Sequence, residues 1–310
     1  MAQLTAEFPD DLRFVYRHFP LPSHDKAFLA AQAAEAAGMQ GRFWEMHDLL
    51  FERIGEWGEL SLADFETWVA AAAAELDLDE ARFRSDLNSA EIKAHVQDSL
   101  DFAMQLELPG TPTLAINGQY YDGPRDLYNL AMIIKLIKHV ERQYTSCPEI
   151  TIDQDKQYFA TLETEKGEIV LELYPKSAPI AVNSFVFLAR EGYYDGVTFH
   201  RVIPGQVAQA GDPTGTGLAG AGYTFVNEID LLLKYDKPGV LGMANAGPDS
   251  NGSQFFITYK AAEQYNGNYT IFGQVVSGMD VLEELTPRNP AQDPTLPPGD
   301  VILKITIEER

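Results

Sequence analysis

Hydrophobic and polar positions recur with different periods along the chain, and each change of period marks a different predicted element. Residues 11–19 alternate between polar and apolar or aromatic side chains, which is the two-residue period of a β-strand. From residue 25 to residue 106 the apolar residues, many of them alanines, recur with helical spacing. Ser61 and Asp64 add a helix-start signal, because a hydroxyl and a carboxylate three residues apart satisfy the free amides of a first turn. The first hundred residues therefore predict a strand and then a block of helices.

A hairpin and a closing helix are predicted after this block. Residues 108–118 suit a strand, an Asn-Gly turn and the start of a second strand, and residues 127–140 suit an amphipathic helix. A Gly-Thr-Pro-Thr run occupies residues 110–113. This order of elements resembles the DsbA-like branch of the thioredoxin superfamily, with its helical insertion. The resemblance implies that Pro112 is the cis-proline that those domains carry beside their active site.

The redox motif of that superfamily is absent from the sequence. A thioredoxin domain opens with a strand and a Cys-x-x-C at its first helix, where the helix N-terminus lowers the pKa of a thiol. Cys147 is the single cysteine, and it follows the closing helix predicted for this domain at residues 127–140. The domain is therefore either truncated at its start or a non-redox scaffold. We favour truncation, because a thioredoxin sheet without its first strand exposes an edge and part of its core.

The second half of the chain has a β pattern. Residues 143–156 are polar and suit a linker. A hairpin is predicted over 158–174, and a helix over 178–192 with Pro179 near its first turn. Short strands with glycine-rich connections follow as far as residue 307.

Three motifs in this half occur in a fixed order. They are Phe-His-Arg-Val-Ile-Pro-Gly at 199–205, Gly-Met-Ala-Asn-Ala-Gly-Pro at 242–248 and Asn-Gly-Ser-Gln-Phe-Phe at 251–256. Together they resemble a cyclophilin, a peptidyl-prolyl cis-trans isomerase. The resemblance implies a mainly-β closed barrel capped by helices.

The two resemblances imply a two-domain fold. An α/β thioredoxin-like domain, incomplete and without redox cysteines, is expected at 1–142. A linker follows at 143–156, and the cyclophilin-type isomerase domain is expected at 157–310.

The second resemblance also implies a reaction. An X-Pro bond isomerises slowly because rotation breaks amide conjugation, with a barrier of roughly 18–20 kcal/mol. In the twisted state the imide nitrogen gains a lone pair, to which a guanidinium can donate. One well-placed charged donor lowers a barrier by about 3 kcal/mol, on the order of a hundredfold in rate. The family pattern implies that Arg201 is this donor, and that Gln209 contacts the substrate backbone and helps to orient the arginine.

The remaining site residues are implied in the same way. Ala244 and Asn245 match a loop whose main chain pairs with the peptide residues before proline, so selectivity through side chains should be weak. Phe256 matches the floor of the proline pocket, with Val207 and Tyr265 as apolar walls.

Three positions depart from the best-known family pattern. Gln206 stands where an aromatic residue usually lines the pocket, Gln264 where many members have tryptophan, and Tyr269 where histidine is common. We keep Gln206 and Tyr269 among the substrate-binding residues, although an amide at 206 lowers the expected affinity for proline. The missing tryptophan implies weak cyclosporin binding, as in bacterial members. We expect activity, since Arg201 and Phe256 are present.

Composition narrows the choice of partners. The net charge is −23, and the acidity is even, with 12 basic and 24 acidic residues before position 148 and 11 and 22 after it. Nucleic acid and anionic membrane surfaces are not expected partners, because both attract a positive protein field. The sequence contains no apolar run of about eighteen residues, so no membrane span is predicted. The first eight residues are too short and too polar for a signal peptide.

No cofactor or metal is expected. Residues 215–220 fit G-x-G-x-x-G by letter, but no helix or βαβ unit accompanies them, so a nucleotide site is not predicted. His200 has no second ligand at metal spacing and is interpreted as a hydrogen-bonded strand histidine.

Three functional hypotheses follow. The first is an active isomerase that acts on X-Pro bonds in unfolded or flexible polypeptide and so assists protein folding. The second is a prolyl-peptide binding or chaperone module with weak turnover. The third is part of a thiol-disulfide oxidoreductase fused to an isomerase, with its Cys-x-x-C upstream of this chain. Such a fusion implies a location in the cell envelope, where disulfides persist, and the alternative location is the cytoplasm.

Overall fold

The computed structural model describes residues 1–293 and 295–310, which form two compact units. Residues 13–123 form one unit, and residues 1–12 together with 124–310 form the other. In the described part of the chain, no helix combines the length and the apolar character that crossing a membrane requires.

Helices dominate the unit of residues 13–123. Helix α1 (Ala2–Glu7) precedes it in the chain and belongs to the other unit. The helices of the smaller unit are α2 (Ala27–Gly38), α3 (Phe43–Glu52), α4 (Ile54–Trp57), α5 (Leu62–Glu75), α6 (Glu80–Leu87) and α7 (Ala90–Gln105).

Caps and small side chains explain this helical block. The Ser61 hydroxyl accepts a hydrogen bond from the Asp64 amide at 3.2 Å, which confirms the predicted start of α5. The alanines of α2 allow close packing against α3, α5, α6 and α7. Larger side chains fill the core around them: Met46, Phe65, Val69, Phe83 and Val96.

The predicted hairpin is present, with strands β1 (Leu114–Ile116) and β2 (Gln119–Tyr121). Asn117 and Gly118 turn the chain with φ angles of 48° and 78°, the left-handed region that these two residue types tolerate best. The peptide bond between Thr111 and Pro112 is cis, the geometry expected from the sequence.

The strand predicted over residues 11–19 is wrong. Residues 12–20 have no strand partner in the described part of the chain, although their side chains do alternate between more and less exposed positions. The alternation arises because Phe14, Tyr16 and His18 point to one side of an extended segment. Tyr16 and His18 pack edge-on against rings of α3, at centroid distances of 4.6 Å to His47 and 5.9 Å to Phe43 respectively. An extended segment that packs on a helix therefore shows the two-residue period of a strand, although it is not hydrogen-bonded to a neighbouring strand.

The larger unit contains helix α8 and a sheet. Helix α8 (Leu127–His139) confirms the closing helix predicted over 127–140. The elements that follow are β3 (Tyr158–Thr164), β4 (Gly167–Leu173), α9 (Pro179–Arg190), β5 (Arg201–Ile203), β6 (Val207–Ala210), β7 (Val240–Met243), β8 (Phe255–Thr258), β9 (Ile271–Ser277), α10 (Met279–Glu283) and β10 (Ile302–Glu309).

The strands form one antiparallel sheet in the order β10-β3-β4-β9-β7-β8-β6-β5. The sheet curls so that residues just before β5 bond to residues just before β10, at the two ends of the sheet. Thr198 and Val301 form an isolated bridge, and the Phe199 amide donates to the Asp300 carbonyl at 2.9 Å. A short bridge rather than a full ladder therefore closes the barrel, and its core includes Phe185 of α9 and Phe272 of β9.

Residues 143–156 lie against this barrel. The Tyr144 amide donates to the Ala221 carbonyl at 2.8 Å, and the Ile152 side chain is buried in the barrel core. The Asn183 side chain accepts from the Thr151 amide at 2.8 Å. The domain boundaries at 143 and 157 stay predictions.

Candidate active site

Three of the predicted site residues lie in one row across the sheet. Arg201 on β5 is paired with Gln209 on β6, and Gln209 is paired with Phe256 on β8. Directly paired residues project to the same face of a sheet. Their neighbours Val202 and Ile257 point into the barrel core, so this row occupies the opposite, outer face.

The Arg201 guanidinium is held by an amide and not by a carboxylate. Its Nη1 donates to Gln209 Oε1 at 3.2 Å, and Arg201 forms no ion pair with any described residue. A guanidinium carries five N–H donors, so most of them remain available on the partly exposed face.

Gln254 continues this chain of hydrogen bonds. Gln209 Nε2 donates to Gln254 Oε1 at 2.9 Å. Gln254 Nε2 in turn donates to the carbonyls of Gly217 and Ala219 at 3.0 and 2.9 Å. The orientation of Arg201 therefore depends on the glycine-rich loop at residues 213–220.

A buried carboxylate organises that loop. Asp212 is fully buried, and its oxygens accept from the amides of Thr214, Gly217 and Ala219 at 2.7, 2.6 and 3.2 Å. The hydroxyls of Thr214 and Thr216 also donate to it. The loop that matches G-x-G-x-x-G by letter thus wraps around a protein carboxylate.

Phe256 also belongs to a second apolar cluster, which we call the slot and which is separate from the barrel core. Phe256 and Val207 are buried in it, with Ala244, Tyr265 and Tyr269 packed against them. Ring centroids are 5.5 Å apart for both Phe256–Tyr265 and Phe256–Tyr269, and 5.3 Å apart for Tyr265–Tyr269. These rings meet edge to face, which is a favourable arrangement for aromatic pairs.

Gly242 and Tyr235 support the floor of the slot. Tyr235 is fully buried and stacks on Phe256 with centroids 5.7 Å apart. A Cβ at position 242 would lie 2.1 Å from the Tyr235 hydroxyl and 2.7 Å from Phe256 Cζ. Only glycine fits there. The second motif, at 242–248, therefore provides room for the Tyr235 and Phe256 rings as well as the loop at Ala244 and Asn245.

The loop at Ala244 and Asn245 is fixed on one side and open on the other. The Ala244 amide donates to the Gln254 carbonyl at 2.9 Å, and the Asn245 side chain donates to Asn251 Oδ1 at 3.2 Å. Within the described chain, the Ala244 carbonyl and the Asn245 amide have no hydrogen-bond partner. One acceptor and one donor of the main chain are therefore free next to the slot.

Gln206 and Gln264 lie next to Tyr265, one of the aromatic residues of the slot. Together with Gly205, Lys260 and Tyr265 they line a cavity of about 430 Å³. Gln206 is thus placed at the rim, between the slot residue Val207 and this neighbouring cavity.

The interpretation of His200 as a hydrogen-bonded histidine is wrong. Its side chain is buried, yet in the described structure neither ring nitrogen has a hydrogen-bond partner. The nearby Asp212 carboxylate is occupied by the donors of its own loop, as described above. Burial lowers the pKa of His200 to about 4, so the ring is neutral at neutral pH. In the described residues, no three histidine, cysteine or acidic side chains are grouped to hold a metal ion.

Pro112 belongs to the unit of residues 13–123, and the other predicted site residues all belong to the barrel unit. The sequence interpretation missed Gln254, Asp212 and Tyr235. Gln254 could have been found, because it belongs to the third motif and lies two residues before Phe256, just before β8 begins. Tyr235 gave no such signal, because its ring partner Phe256 is 21 positions away in sequence.

Comparisons with known proteins match both parts of the chain. The family model described as cyclophilin type peptidyl-prolyl cis-trans isomerase/CLD matches residues 159–307, and a thioredoxin family model matches residues 2–136.

Curated relatives cover the C-terminal part. Peptidyl-prolyl cis-trans isomerase-like 1 of Gibberella zeae is 50% identical over 127 residues, which is 40% of this chain and 78% of that protein. Peptidyl-prolyl cis-trans isomerase ppi1 of Schizosaccharomyces pombe is 51% identical over 127 residues, or 40% of this chain and 82% of the relative. A crystal structure of a Cryptosporidium parvum cyclophilin type isomerase is 38% identical, covers 50% of this chain and 99% of its own, and has a TM-score of 0.46.

Proposed function

Because this chain belongs to the cyclophilin-type peptidyl-prolyl cis-trans isomerases, we propose that its Arg201 face accelerates rotation about X-Pro bonds in flexible or unfolded polypeptides. The observation that carries the proposal is the row of Arg201, Gln209 and Phe256 on the outer face of three neighbouring strands. A cation with free donors and an aromatic recess are thereby held side by side on rigid elements.

The slot supplies binding. A proline ring is a compact apolar group, and burial of such a group against Phe256, Val207 and Tyr265 is favourable without any polar partner. The free Ala244 carbonyl and Asn245 amide can pair with the peptide main chain before the proline, in the manner of an added strand. Neither interaction depends on the side chains next to the proline, so the site suits polypeptides that are recognised by their proline alone.

Arg201 supplies the rate enhancement. Conjugation holds the imide planar in both ground states, and it is lost as the bond twists. The nitrogen then becomes a hydrogen-bond acceptor, so a guanidinium donor binds the twisted state more tightly than either planar state. Gln209 and Gln254 hold the guanidinium in advance, which removes the cost of orienting it during the reaction. No covalent bond to the enzyme is needed.

We propose that the thioredoxin-like unit assists folding by binding polypeptide next to the isomerase. We place it in the DsbA-like branch, which is supported by its helical block inserted before a hairpin and by the cis bond at Pro112. Slow proline isomerisation limits folding, so a polypeptide-binding companion to an isomerase is physically reasonable. The even acidity of the chain supports proteins, and not nucleic acids, as partners.

Isomer exchange in a short X-Pro peptide, followed by a protease that cleaves only the trans form, tests the proposal. We expect catalysis by the wild-type protein and a loss of about a hundredfold in Arg201→Ala, from removal of one charged donor. Arg190→Ala is the matched control, because Arg190 is an exposed arginine of α9 that pairs with Glu309. Exchange no faster with either protein than without protein would instead support a binding module without turnover, and catalysis of equal rate by both would show that Arg201 is not the catalytic residue.

A further inference from the structure

The cavity next to Tyr265 lies at a defined end of the substrate groove. Along β8, the Ala244 amide bonds to the Gln254 carbonyl, just before the strand begins. The Tyr259 amide bonds to the Gln206 carbonyl at 2.9 Å, just after the strand ends. Phe256 lies between these two points. The main-chain pairing loop and the cavity therefore flank the proline slot on opposite sides.

This order fixes which part of a peptide enters the cavity. A chain that pairs its residues before proline with Ala244 and Asn245, and seats the proline on Phe256, leaves toward Gln206 and Lys260. The residues after the proline then reach the cavity, whose wall Tyr265 is shared with the slot.

The lining of the cavity is polar and carries one cation. Gln206 and Gln264 present side-chain amides, Tyr265 presents a phenol, and Lys260 is the cationic residue among the described residues that line the cavity. Lys260 is exposed, and within the described residues it forms neither an ion pair nor a side-chain hydrogen bond. Its ammonium is thus free for a ligand, whereas the other residues offer amide, phenol or apolar contacts.

We propose that this cavity is a subsite for an acidic side chain at the first or second position after the proline, with Lys260 as its specificity-determining residue. The proposal rests on the proposed isomerase function of the same groove. A glutamate or aspartate there accepts a charge-assisted hydrogen bond from the Lys260 ammonium and further bonds from the amides of Gln206 and Gln264. A lysine in the same place meets a like charge.

The expected preference is modest. A solvent-exposed ion pair of this kind changes affinity by about two- to fivefold. The net charge of −23 acts against every acidic peptide, but it is spread over the whole chain and is screened beyond about 8 Å at physiological salt. Comparison of charge variants therefore isolates the contribution of Lys260 from that of the overall field.

Exchange NMR on peptides that are identical except at one position after the proline provides the test. Glutamate, glutamine and lysine are placed in turn at the first and the second position, at 150 mM salt. We expect kcat/KM to favour the glutamate peptide over the glutamine peptide by two- to fivefold at one of the positions. Lys260→Gln should abolish this ratio, and Lys260→Glu should shift the preference to the lysine peptide. Lys304→Gln removes the same charge from β10, outside the groove, and should leave the ratio unchanged.

The outcomes separate the two proposals. Equal rates for the glutamate and glutamine peptides at both positions, with normal catalysis of each, would overturn the subsite alone. A preference that persists in Lys260→Gln would also overturn it, since another group would then be responsible. Absence of catalysis on every peptide would overturn the isomerase function itself.

Discussion

In the proposed site, Arg201 supplies a polar contact and Phe256 an apolar contact, and the two contacts can be perturbed separately. Phe256 and its neighbour Phe255 are both buried, but they project to opposite faces of β8. Phe256 faces the slot, and Phe255 packs in the barrel core with Phe185 at a centroid distance of 5.4 Å. Phe255 therefore serves as a control for Phe256, because we propose that only Phe256 contacts the ligand, whereas Phe255 packs in the core.

Replacing each phenylalanine by leucine should show this difference. We expect Phe256→Leu to raise KM for an X-Pro peptide by about tenfold, from loss of an aromatic contact with the ring. Phe255→Leu should lower the free energy of unfolding by about 1–2 kcal/mol and leave KM unchanged. Steady-state kinetics and urea unfolding of both variants measure the two effects. A larger rise of KM in Phe255→Leu than in Phe256→Leu would contradict the assignment of the slot.

At this scale the motifs gave most of the site. Arg201 and Phe256 lie in them and Gln209 lies four residues after the first, and the structure places all three in one row. The sequence could not show that Tyr235 supports Phe256 from behind, because that contact joins residues 21 positions apart in a segment without a motif. Nor could it show that His200 lacks a partner, because the neighbouring carboxylate is already saturated.

At the scale of elements, the glycine-rich loop is the part of the barrel that links a buried charge to the site. Five donors surround Asp212, and the same loop presents the two carbonyls that hold Gln254. A loop of this composition would be mobile by itself, since glycines allow many backbone conformations. We propose that the buried carboxylate acts as a positioning group for Arg201 through four hydrogen-bonded steps, by way of the loop, Gln254 and Gln209.

We expect Asp212→Asn to disturb catalysis more than binding. The amide replaces one acceptor oxygen with a donor that faces backbone N–H groups, so the loop shifts and Arg201 loses its orientation. The expected result is a roughly tenfold fall in kcat with little change in KM, measured well below the melting temperature. Asp230→Asn is the control. Asp230 also accepts a hydrogen bond from a backbone amide, that of Leu232, but it is not part of the hydrogen-bond path to Arg201. A fall in kcat of the same size in both variants would contradict the positioning role.

Most elements followed from local pattern, and the exceptions have physical causes. The hairpin at β3 and β4, helix α9 and the Asn-Gly turn were predictable because their signals are local. The segment at residues 12–20 was not, because the same alternation arises on a helix surface as in a sheet. Closure of the barrel through residues 198 and 301 joins positions a hundred residues apart, which no local pattern reports.

At the scale of the whole molecule, His200 ties stability to pH. It is buried close to the charged groups of Asp212, Arg288 and Arg201, and burial is the main cause of its lowered pKa of about 4. In the unfolded chain the pKa of a histidine is about 6.5. Between these two values the unfolded state binds a proton that the folded state does not, so stability decreases as pH falls.

The free energy of unfolding of the wild-type protein should therefore fall between pH 6.5 and pH 4 by on the order of 1 kcal/mol per pH unit more than that of His200→Leu. Above pH 6.5 the ring is neutral in both states, and the two pH profiles should run parallel. Urea unfolding followed by far-ultraviolet circular dichroism measures the difference. Parallel profiles across the whole range would show that His200 is not buried in its neutral form.

We propose that Arg201 acts on the twisted imide and not on the bound peptide. Arg201→Lys keeps the positive charge but replaces the planar fork of donors with a shorter, flexible ammonium. Titration and two-dimensional exchange NMR on a single X-Pro peptide report affinity and cis-trans exchange in the same sample. We expect the dissociation constant to stay within about twofold of wild type while the exchange rate at saturation falls by at least tenfold. An exchange rate equal to that of wild type, or a loss of rate that only mirrors a loss of affinity, would contradict the claim.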